Sequence, residues 1–423
     1  MNSSILENIQ SMPVIDVHEH LICDNLRIQR YPDYISLLFS NYVYGNAVSA
    51  GMTWEEYEYI LNPNGDLEKK YTLFKYILPY IRFTSVYRCI NRAFRDLYDI
   101  SLDATDFEKN NTAYIKNNVQ GATCRLIAKN TKVKWIINDV YDTSMQNTIY
   151  QMDNKYMIPT VRCDKYILFD QNWDLIEKEW NCSINSLNTM VSLLEKYIRQ
   201  AITKNHGIAL KLAVAYDRSL QFGNIAFPEA DFAFENILRN RLRGEGISLD
   251  DVGKVQDYLA HQIMELAESL DVPIQIHTGF QDRNQNDPRR SDPRHLIPLF
   301  IQYPKVKFVL FHTGFPDGRH AGVLAKMFPN VFVDFSWVHV LSESYARTML
   351  REYIELIPCN KFSVFGGDFF HREGFYGHLQ IALENLAEVM SDLLKDNVLN
   401  EKEMNFICNR LLYYNAKDLY RLS

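Results

Sequence analysis

The sequence predicts an α/β protein of the (β/α)8-barrel class, the TIM barrel, with a helical insertion after its first strand. Short apolar segments alternate with segments of helical periodicity along most of the chain, and several of the apolar segments end in a single polar residue. One long stretch between the first two apolar segments interrupts this alternation. Apolar strands separated by amphipathic helices are typical of a parallel sheet that is covered by helices.

Eight short segments rich in β-branched and other apolar residues are predicted to be strands. In chain order they are residues 14–17, 135–139, 160–163, 208–214, 272–276, 306–311, 331–335 and 362–365. Eight is the strand number of the closed barrel. The clearest helix between them is Leu249–Leu270, which begins after Ser248, with Asp251 three residues later as a helix-start signal.

Residues 23–132 separate the first predicted strand from the second. Loops between strand and helix in barrels usually have about 2–6 residues, so this stretch is far too long to be an ordinary loop. Its aromatic and charged residues recur at helical spacing. We therefore expect one domain over residues 1–423, with residues 23–132 forming a helical cap over the C-terminal mouth of the barrel. A separate N-terminal helical domain is the alternative, disfavoured because a strand and a candidate ligand pair precede the stretch.

The composition excludes several classes of protein. Of the 423 residues, 47% are hydrophobic and 23% charged, which suits a soluble protein with a large core. The net charge of -7 argues against a nucleic-acid partner. Seven dispersed cysteines without a C-x-x-C pair indicate free thiols. There is neither a signal-peptide pattern nor an apolar run of about 20 residues. We expect a cytoplasmic protein without a membrane partner, and base rates favour a homo-oligomer.

The strongest chemical signal is the segment PVIDVHEH at residues 13–20. His18 and His20 are separated by one residue on an extended segment, so their side chains point to the same side. Two imidazoles placed in this way can bind one metal ion. Asp16 precedes them on the same face and is expected to support them. Taken alone, the pattern fits a pair of partly exposed polar histidines equally well.

Three later predicted strands also deliver a metal-binding residue at their ends. They are His277 in IQIHTG, His312 in VLFHTG and Asp368 in VFGGD. In a barrel these positions converge on the C-terminal face, where the active sites of this fold lie. Suitable residues at four strand ends are far less expected by chance than at one. The sequence therefore predicts a metal centre.

The set DVHEH, QIHTGF, FHTGFP and GGDFF resembles the amidohydrolase superfamily of metal-dependent barrels. It is most similar to the amidohydrolase-2 branch, which includes the nodulin-related domain that some organisms fuse to a glutamine synthetase. The resemblance extends over most of the chain, from the first histidines to NAKDLY at residues 415–420, and the long helical insertion is similar as well.

This resemblance implies a role for each matching residue. His18, His20 and His277 match the metal ligands of the family. Asp368 matches the aspartate that contacts the metal and takes a proton from the bound water. His312 matches a second-metal ligand in binuclear members and an acid or substrate-polarising group in mononuclear ones. One divalent metal ion, zinc in the first instance, is the expected cofactor.

Lys211 leaves the number of metal ions open. It interrupts the apolar strand segment IALKLAV. Binuclear members of the family carry a carboxylated lysine on the corresponding strand, where it bridges two metals. A buried lysine could instead steer a substrate carboxylate or pair with an acidic residue. One metal is favoured over two by a narrow margin.

Four further residues are predicted to contact the substrate. They are Arg162, Tyr216, Trp337 and His371. Arg162 could hold a carboxylate or phosphate with two hydrogen bonds, or form an ion pair with Asp164. Trp337 follows the seventh strand, and aromatic packing under the insertion explains it equally well. Tyr216 follows the fourth strand, where ordinary loop polarity is the alternative.

These residues predict a hydrolase of a C–N or C–O bond in a small, carboxylate-bearing molecule. A divalent metal with an open position lowers the pKa of bound water to about 7. The alternatives are a decarboxylase of an aromatic or unsaturated acid and, less favoured, a uronate-type sugar-acid isomerase. A barrel with a purely structural metal is disfavoured, because such sites usually have four protein ligands and no additional acid–base groups.

Overall fold

The computed structural model describes residues 3–103, 106–139, 155–282 and 285–423. These residues form two compact units. The first unit contains the described residues up to Ile158, those within Asp282–Asn286, and Asp334–Ser423. The second unit contains Pro159–Gln281 and Asp287–Val333. None of the helices in the described part of the chain is long and apolar enough to cross a membrane.

The strands of the described residues are short, from two to six residues. They are β1 Val14–Glu19, β2 Val133–Asn138, β3 Met157–Pro159, β4 Val161–Arg162, β5 Leu210–Leu212, β6 Ile274–Ile276, β7 Phe308–Leu310, β8 Val331–Asp334 and β9 Phe362–Ser363. In the first unit, β1 and β2 are parallel, with Val14 opposite Val133. In the second unit, β4 to β8 are parallel neighbours in chain order. Parallel neighbours require long crossover connections, which the helices supply.

Each of the eight segments predicted to be strands overlaps an observed strand, and β3 is additional. Several observed strands end earlier than predicted. The segment 306–311 ends at Leu310 because His312 has a left-handed backbone, with φ of 61°, inside a short 3-10 turn. A left-handed residue cannot continue the hydrogen-bond ladder of a strand. The segment 208–214 ends at Leu212 for a similar reason, since a 3-10 turn begins at Val214.

The helices of the second unit lie between its strands. They are Asp164–Ile167, Phe169–Trp180, Leu187–Thr203, Phe227–Arg243, Leu249–Leu270, Ile297–Gln302 and Gly318–Met327.

The predicted helix Leu249–Leu270 is confirmed at both ends. The Ser248 side chain accepts a hydrogen bond from the backbone N–H of Asp251 at its start. Its apolar face, which includes Leu259 and Ile263, is buried.

The helical insertion after the first strand is also confirmed. Between β1 and β2 lie Asp24–Arg30, Tyr34–Phe39, Val43–Ser49, Trp54–Leu61, Leu67–Ile81, Ser85–Tyr98, Phe107–Asn117 and Ala122–Asn130. Aromatic residues on these helices, including Tyr34, Phe74 and Phe94, form one buried cluster that also contains Trp337 and Phe369. Much of the aromatic content of this stretch is therefore core.

The remaining helices of the first unit are Ser3–Ser11, Val338–Leu341, Glu343–Leu356, Arg372–Lys395, Glu401–Asn409 and Asn415–Leu419, with a π-helical turn at Arg410–Tyr414. Asn415 donates hydrogen bonds of 2.6 Å to the carbonyls of Cys359 and Phe362, which ties the C-terminal helix to the start of β9. His378 lies inside Arg372–Lys395, whose N-cap is His371.

Candidate metal centre

His18 lies on β1 and His20 directly follows that strand, and both side chains are buried. Their ring centroids are 4.6 Å apart, and the rings are nearly perpendicular. The two Nε2 atoms point toward one carboxylate oxygen: Oδ1 of Asp368 is 3.2 Å from Nε2 of His18 and 3.0 Å from Nε2 of His20. The two-residue spacing on an extended strand thus brings both imidazoles to one acidic group.

Asp368 follows β9 in an unusual backbone conformation. Its φ is 62°, in the left-handed region that non-glycine residues rarely occupy. Its N–H donates to the carbonyl of His18 at 2.9 Å. The hydroxyl of Tyr42, from the helical insertion, donates to its carbonyl oxygen. The surrounding hydrogen bonds hold a conformation that the isolated chain would disfavour.

His18, His20 and Asp368 together have the donor set of a divalent metal site. Their ligand atoms lie within 4.8 Å of one another, and all three side chains are buried. The Nδ1 atom of His20 lies 2.8 Å from the carbonyl oxygen of Asp139, which can only accept a hydrogen bond. That contact requires a proton on Nδ1, so Nε2 is the ring atom that faces Asp368 and that a metal ion would use.

The charge of Asp368 is stabilised by the two imidazoles. Burial by itself would raise the pKa of this carboxyl group, but the adjacent His18 and His20 hold that pKa well below its usual value. The group therefore stays ionised although it is buried. An ionised carboxylate beside two imidazole nitrogens fits zinc and similar ions.

Two buried carboxyl groups on β1 contact the backbone around these three residues. Oδ1 of Asp16 accepts hydrogen bonds from the N–H groups of His18 and Gly367. Oε2 of Glu19 accepts from those of His20 and Phe369. Burial raises the pKa of both carboxyl groups well above their usual values, and the charge of Asp16 adds to the effect on Glu19. Asp16 was expected to support the histidines, and its hydrogen bonds agree with that expectation.

Glu19 is not among the site residues predicted from the sequence. A charged residue on a fully buried strand needs a partner, and that rule could have identified it. Strict alternation along a strand would place Glu19 on the face opposite Asp16. The pairing of β1 with β2 shifts register between Asp16 and Glu19, so the strand is irregular at this point. The periodicity of the sequence could not predict that irregularity.

The glycines before Asp368 leave room for these contacts. A Cβ atom on Gly367 would lie 1.7 Å from Oε1 of Glu19. A Cβ on Gly366 would lie 2.1 Å from Oγ of Ser336. The GGD motif therefore allows the backbone to approach neighbouring side chains at distances that any side chain would prevent.

The residues that follow Asp368 belong to a buried ionic cluster with charged residues of the insertion. Arg27, on the insertion, pairs with Glu373, and Arg372 lies 3.3 Å from Asp24 and 3.4 Å from Glu373. His371 is fully buried as the N-cap of the helix, where its Nδ1 accepts from the N–H of Gly374. The cluster joins the insertion to the start of the helix Arg372–Lys395. The role of His371 in substrate contact stays a prediction.

In the second unit, His277 and His312 contact each other. Nε2 of His312 is 3.0 Å from Nδ1 of His277, and Nε2 of His277 is 2.9 Å from the carbonyl oxygen of Phe280. Since the carbonyl can only accept, the proton of His277 is on Nε2, and His312 donates to Nδ1. The ring of Tyr216 lies 4.7 Å from that of His277, so three candidate site residues of this unit are neighbours.

Lys211 and Arg162 lie opposite each other on β5 and β4. Nζ of the buried Lys211 lies 3.4 Å from the ring centroid of Phe311, which is a cation–π distance. Nε of Arg162 donates to Asp164 at 2.6 Å, the ion pair considered as its alternative role. A substrate contact by Arg162 stays a prediction.

Trp337 belongs to the first unit. Its ring stacks on that of Tyr42 with centroids 4.3 Å apart, and it lies in the buried cluster of the insertion. Its φ of 66° makes it the left-handed N-cap residue of Val338–Leu341. Packing explains this residue without a ligand, and its proposed substrate contact stays a prediction.

Residues 212–422 match the family model described as Amidohydrolase (Amidohydro_2). A curated relative, protein fluG of Emericella nidulans, is 30% identical over 175 residues, which make up 40% of this chain and 20% of fluG. The match thus spans about a fifth of the length of that relative.

Several solved structures share the fold over nearly the whole chain. A uronate isomerase of Thermotoga maritima gives a TM-score of 0.80 at 15% identity, covering 99% of this chain and 96% of the isomerase. A glucuronate isomerase of Caulobacter crescentus gives 0.79 at 14%, covering 99% and 93%. A candidate metal-dependent hydrolase of Lactobacillus casei gives 0.70 at 17%, covering 99% and 97%. Likeness at these identities concerns the fold alone: the chain has a (β/α)8-barrel fold.

Proposed function

We propose that this chain, an enzyme of the amidohydrolase superfamily, hydrolyses a C–N or C–O bond in a small, carboxylate-bearing molecule. The observation that carries the proposal is the buried set of His18, His20 and Asp368, with two imidazole nitrogens facing one carboxylate oxygen. This donor set fits a single divalent ion, and we propose zinc.

In this proposal His18, His20 and Asp368 hold the metal, and His277 is a further ligand. The metal supplies Lewis acidity, which makes water a nucleophile near neutral pH. The Asp368 carboxylate takes the proton of the attacking water and returns it to the leaving group as a general base and then a general acid. The neighbouring histidines hold the pKa of Asp368 below its usual value, so the carboxyl group is ionised, which is the form that can accept a proton.

His312 is proposed to polarise the carbonyl oxygen of the substrate. Its Nε2 lies 3.0 Å from Nδ1 of His277, so in this role it would donate to the substrate oxygen in place of His277. Arg162, Tyr216, Trp337 and His371 are the proposed substrate contacts. Lys211 is proposed either to bind a substrate carboxylate or, if carboxylated, to hold a second metal. The cytoplasm as its location and a homo-oligomeric state are also proposals.

The test combines metal content with an activity screen. Protein purified without chelator is analysed for metal identity and stoichiometry, then assayed on N-acyl amino acids, lactones and aromatic acids with CO2 release measured. We expect one zinc per chain and hydrolysis without CO2 release. Two metals per chain would overturn the single-metal proposal, and CO2 release from an aromatic acid without hydrolysis would favour the decarboxylase.

A sugar-acid isomerase is the second candidate, favoured by one observation: the fold similarity to two uronate isomerases over 99% of the chain. Such enzymes resemble this chain in their strand-1 histidine pair and strand-8 aspartate. Incubation of the metal-loaded protein with hexuronates, with the ketose product followed, separates the two functions. Isomerisation without hydrolysis of the amide and ester panel would replace the hydrolase proposal.

A further inference from the structure

Three successive backbone N–H groups around Asp368 are all bound by β1. Gly367 donates to Oδ1 of Asp16 at 3.2 Å, Asp368 donates to the carbonyl of His18 at 2.9 Å, and Phe369 donates to Oε2 of Glu19 at 2.7 Å. Two of the three acceptors are side-chain carboxyl groups. The segment that carries the aspartate is therefore held by side chains as well as by the strand backbone.

The same two carboxyl oxygens also bind the backbone of the histidines. Oδ1 of Asp16 accepts from the N–H of His18 at 3.1 Å, and Oε2 of Glu19 accepts from the N–H of His20 at 3.2 Å. Asp16 thus joins His18 to Gly367, and Glu19 joins His20 to Phe369. Each carboxyl group links one histidine to one residue beside Asp368.

The aspartate needs this support because its backbone is strained. A left-handed φ of 62° is unfavourable for a residue other than glycine, because its Cβ crowds the neighbouring carbonyl oxygen. The two glycines before it contribute no side-chain packing of their own. The close approach of Glu19, whose Oε1 occupies the place of a Cβ on Gly367, depends on that glycine.

We propose that Glu19, together with Asp16, is a positioning residue that sets the geometry of His18, His20 and Asp368 without binding the metal itself. This inference rests on the metal centre proposed above. Oε2 of Glu19 already accepts two backbone hydrogen bonds, and the side chain is fully buried. What matters is therefore the length of the side chain and its acceptor oxygen, and not its charge.

Two variants of Glu19 separate length from charge. Glu19→Gln keeps the length and an acceptor oxygen but removes the carboxylate. Glu19→Asp keeps the carboxylate but shortens the side chain by one methylene, so that it no longer reaches Phe369. The measurement is the zinc dissociation constant of the folded apoprotein, obtained by competition with a chromophoric chelator, beside the thermal midpoint of the same apoprotein.

We expect Glu19→Asp to bind zinc roughly ten- to a hundredfold more weakly, as is typical when a group that orients metal ligands is lost. We expect Glu19→Gln to stay within roughly threefold of the wild-type protein because its acceptor oxygen remains. The opposite order, with weak binding in Glu19→Gln and wild-type binding in Glu19→Asp, would show that charge is what counts and would overturn the inference. Wild-type affinity in both variants would overturn it as well.

Asp33→Asn is the matched control. Asp33 is also a buried carboxylate, but it caps the helix Tyr34–Phe39 and pairs with Lys70 in the insertion. The replacement of Asp33 should lower the thermal midpoint and leave the zinc affinity unchanged. A loss of zinc affinity in Asp33→Asn as large as that in Glu19→Asp would mean that Glu19 contributes only to general stability, and it would overturn the inference. If the wild-type protein itself binds no zinc, the proposed metal centre fails, which is a different result from wild-type affinity in the variants.

Discussion

Two pairs of histidines, one in each unit, reach strand ends by different routes and have different partners. In the first unit, His18 lies near the end of β1 and His20 directly follows it, and both Nε2 atoms face Asp368. In the second unit, His277 and His312 follow separate strands, and their rings are hydrogen-bonded to each other. The residue type is the same, but the partner of each ring nitrogen is not.

The difference shows that hydrogen bonds to the backbone decide which nitrogen is a donor. The carbonyl of Asp139 accepts a hydrogen bond from Nδ1 of His20, so Nε2 is the ring atom that faces Asp368. The carbonyl of Phe280 accepts from Nε2 of His277, so Nδ1 is the ring atom that faces His312. The first pair thus directs two ring nitrogens at one carboxylate oxygen, whereas in the second pair the two rings bond to each other. His277 can then bind a metal only if one of these two contacts is given up.

The largest expected effect is in the first pair. His20→Ala and Asp368→Ala should each lose bound metal and all activity, because each removes one of three clustered ligands. Metal content after dialysis and turnover of any identified substrate are the measurements. The partly exposed His295→Ala is the control and should retain both. Full metal content in either variant would show that this set does not hold the metal.

The second pair gives the next largest effect, and it tests the comparison directly. We expect His277→Ala to lose metal, and His312→Ala to keep metal while its turnover falls by roughly 10²–10⁴-fold, the usual contribution of an acid–base group. Loss of all metal in His312→Ala would refute its proposed role. If His277→Ala kept its metal, the two histidines would act as a hydrogen-bonded pair, and His277 would not be a ligand.

The smallest expected effect concerns the backbone beside the first pair. Gly367→Ala should reduce the free energy of unfolding by about 1–3 kcal/mol, as overpacking of a dense core does. A Cβ at this position would overlap Oε1 of Glu19. In contrast, Gly253→Ala, in the helix Leu249–Leu270 with no atom within 4 Å of the new Cβ, should raise it by about 0.5–1 kcal/mol. The free energies of unfolding of both variants are measured by chemical denaturation. The same change in both would mean that the Glu19 side chain moves away from the new Cβ at position 367 without cost.

Much of the fold was predictable because the patterns that specify it are local. Apolar segments such as β6 and β7 have few alternatives once helical segments surround them. The helix Leu249–Leu270 carries its own start signal in Ser248. The ends of strands were less predictable: the left-handed backbone of His312 ends β7 early, and no residue preference announces it.

Sequence alone determined which residue types reach the strand ends, since period-two alternation and the placement of histidine and aspartate can be read directly from the chain. Tertiary structure alone decided how those residues are held. Glu19 and Tyr42 contact the segment around Asp368 across more than 300 residues of chain. The Glu19 contact depends on the irregular register of β1 and on the space left by Gly367, and a one-dimensional pattern contains neither. The histidines and the aspartate were therefore predictable, but the carboxyl groups and the hydroxyl that position them were not.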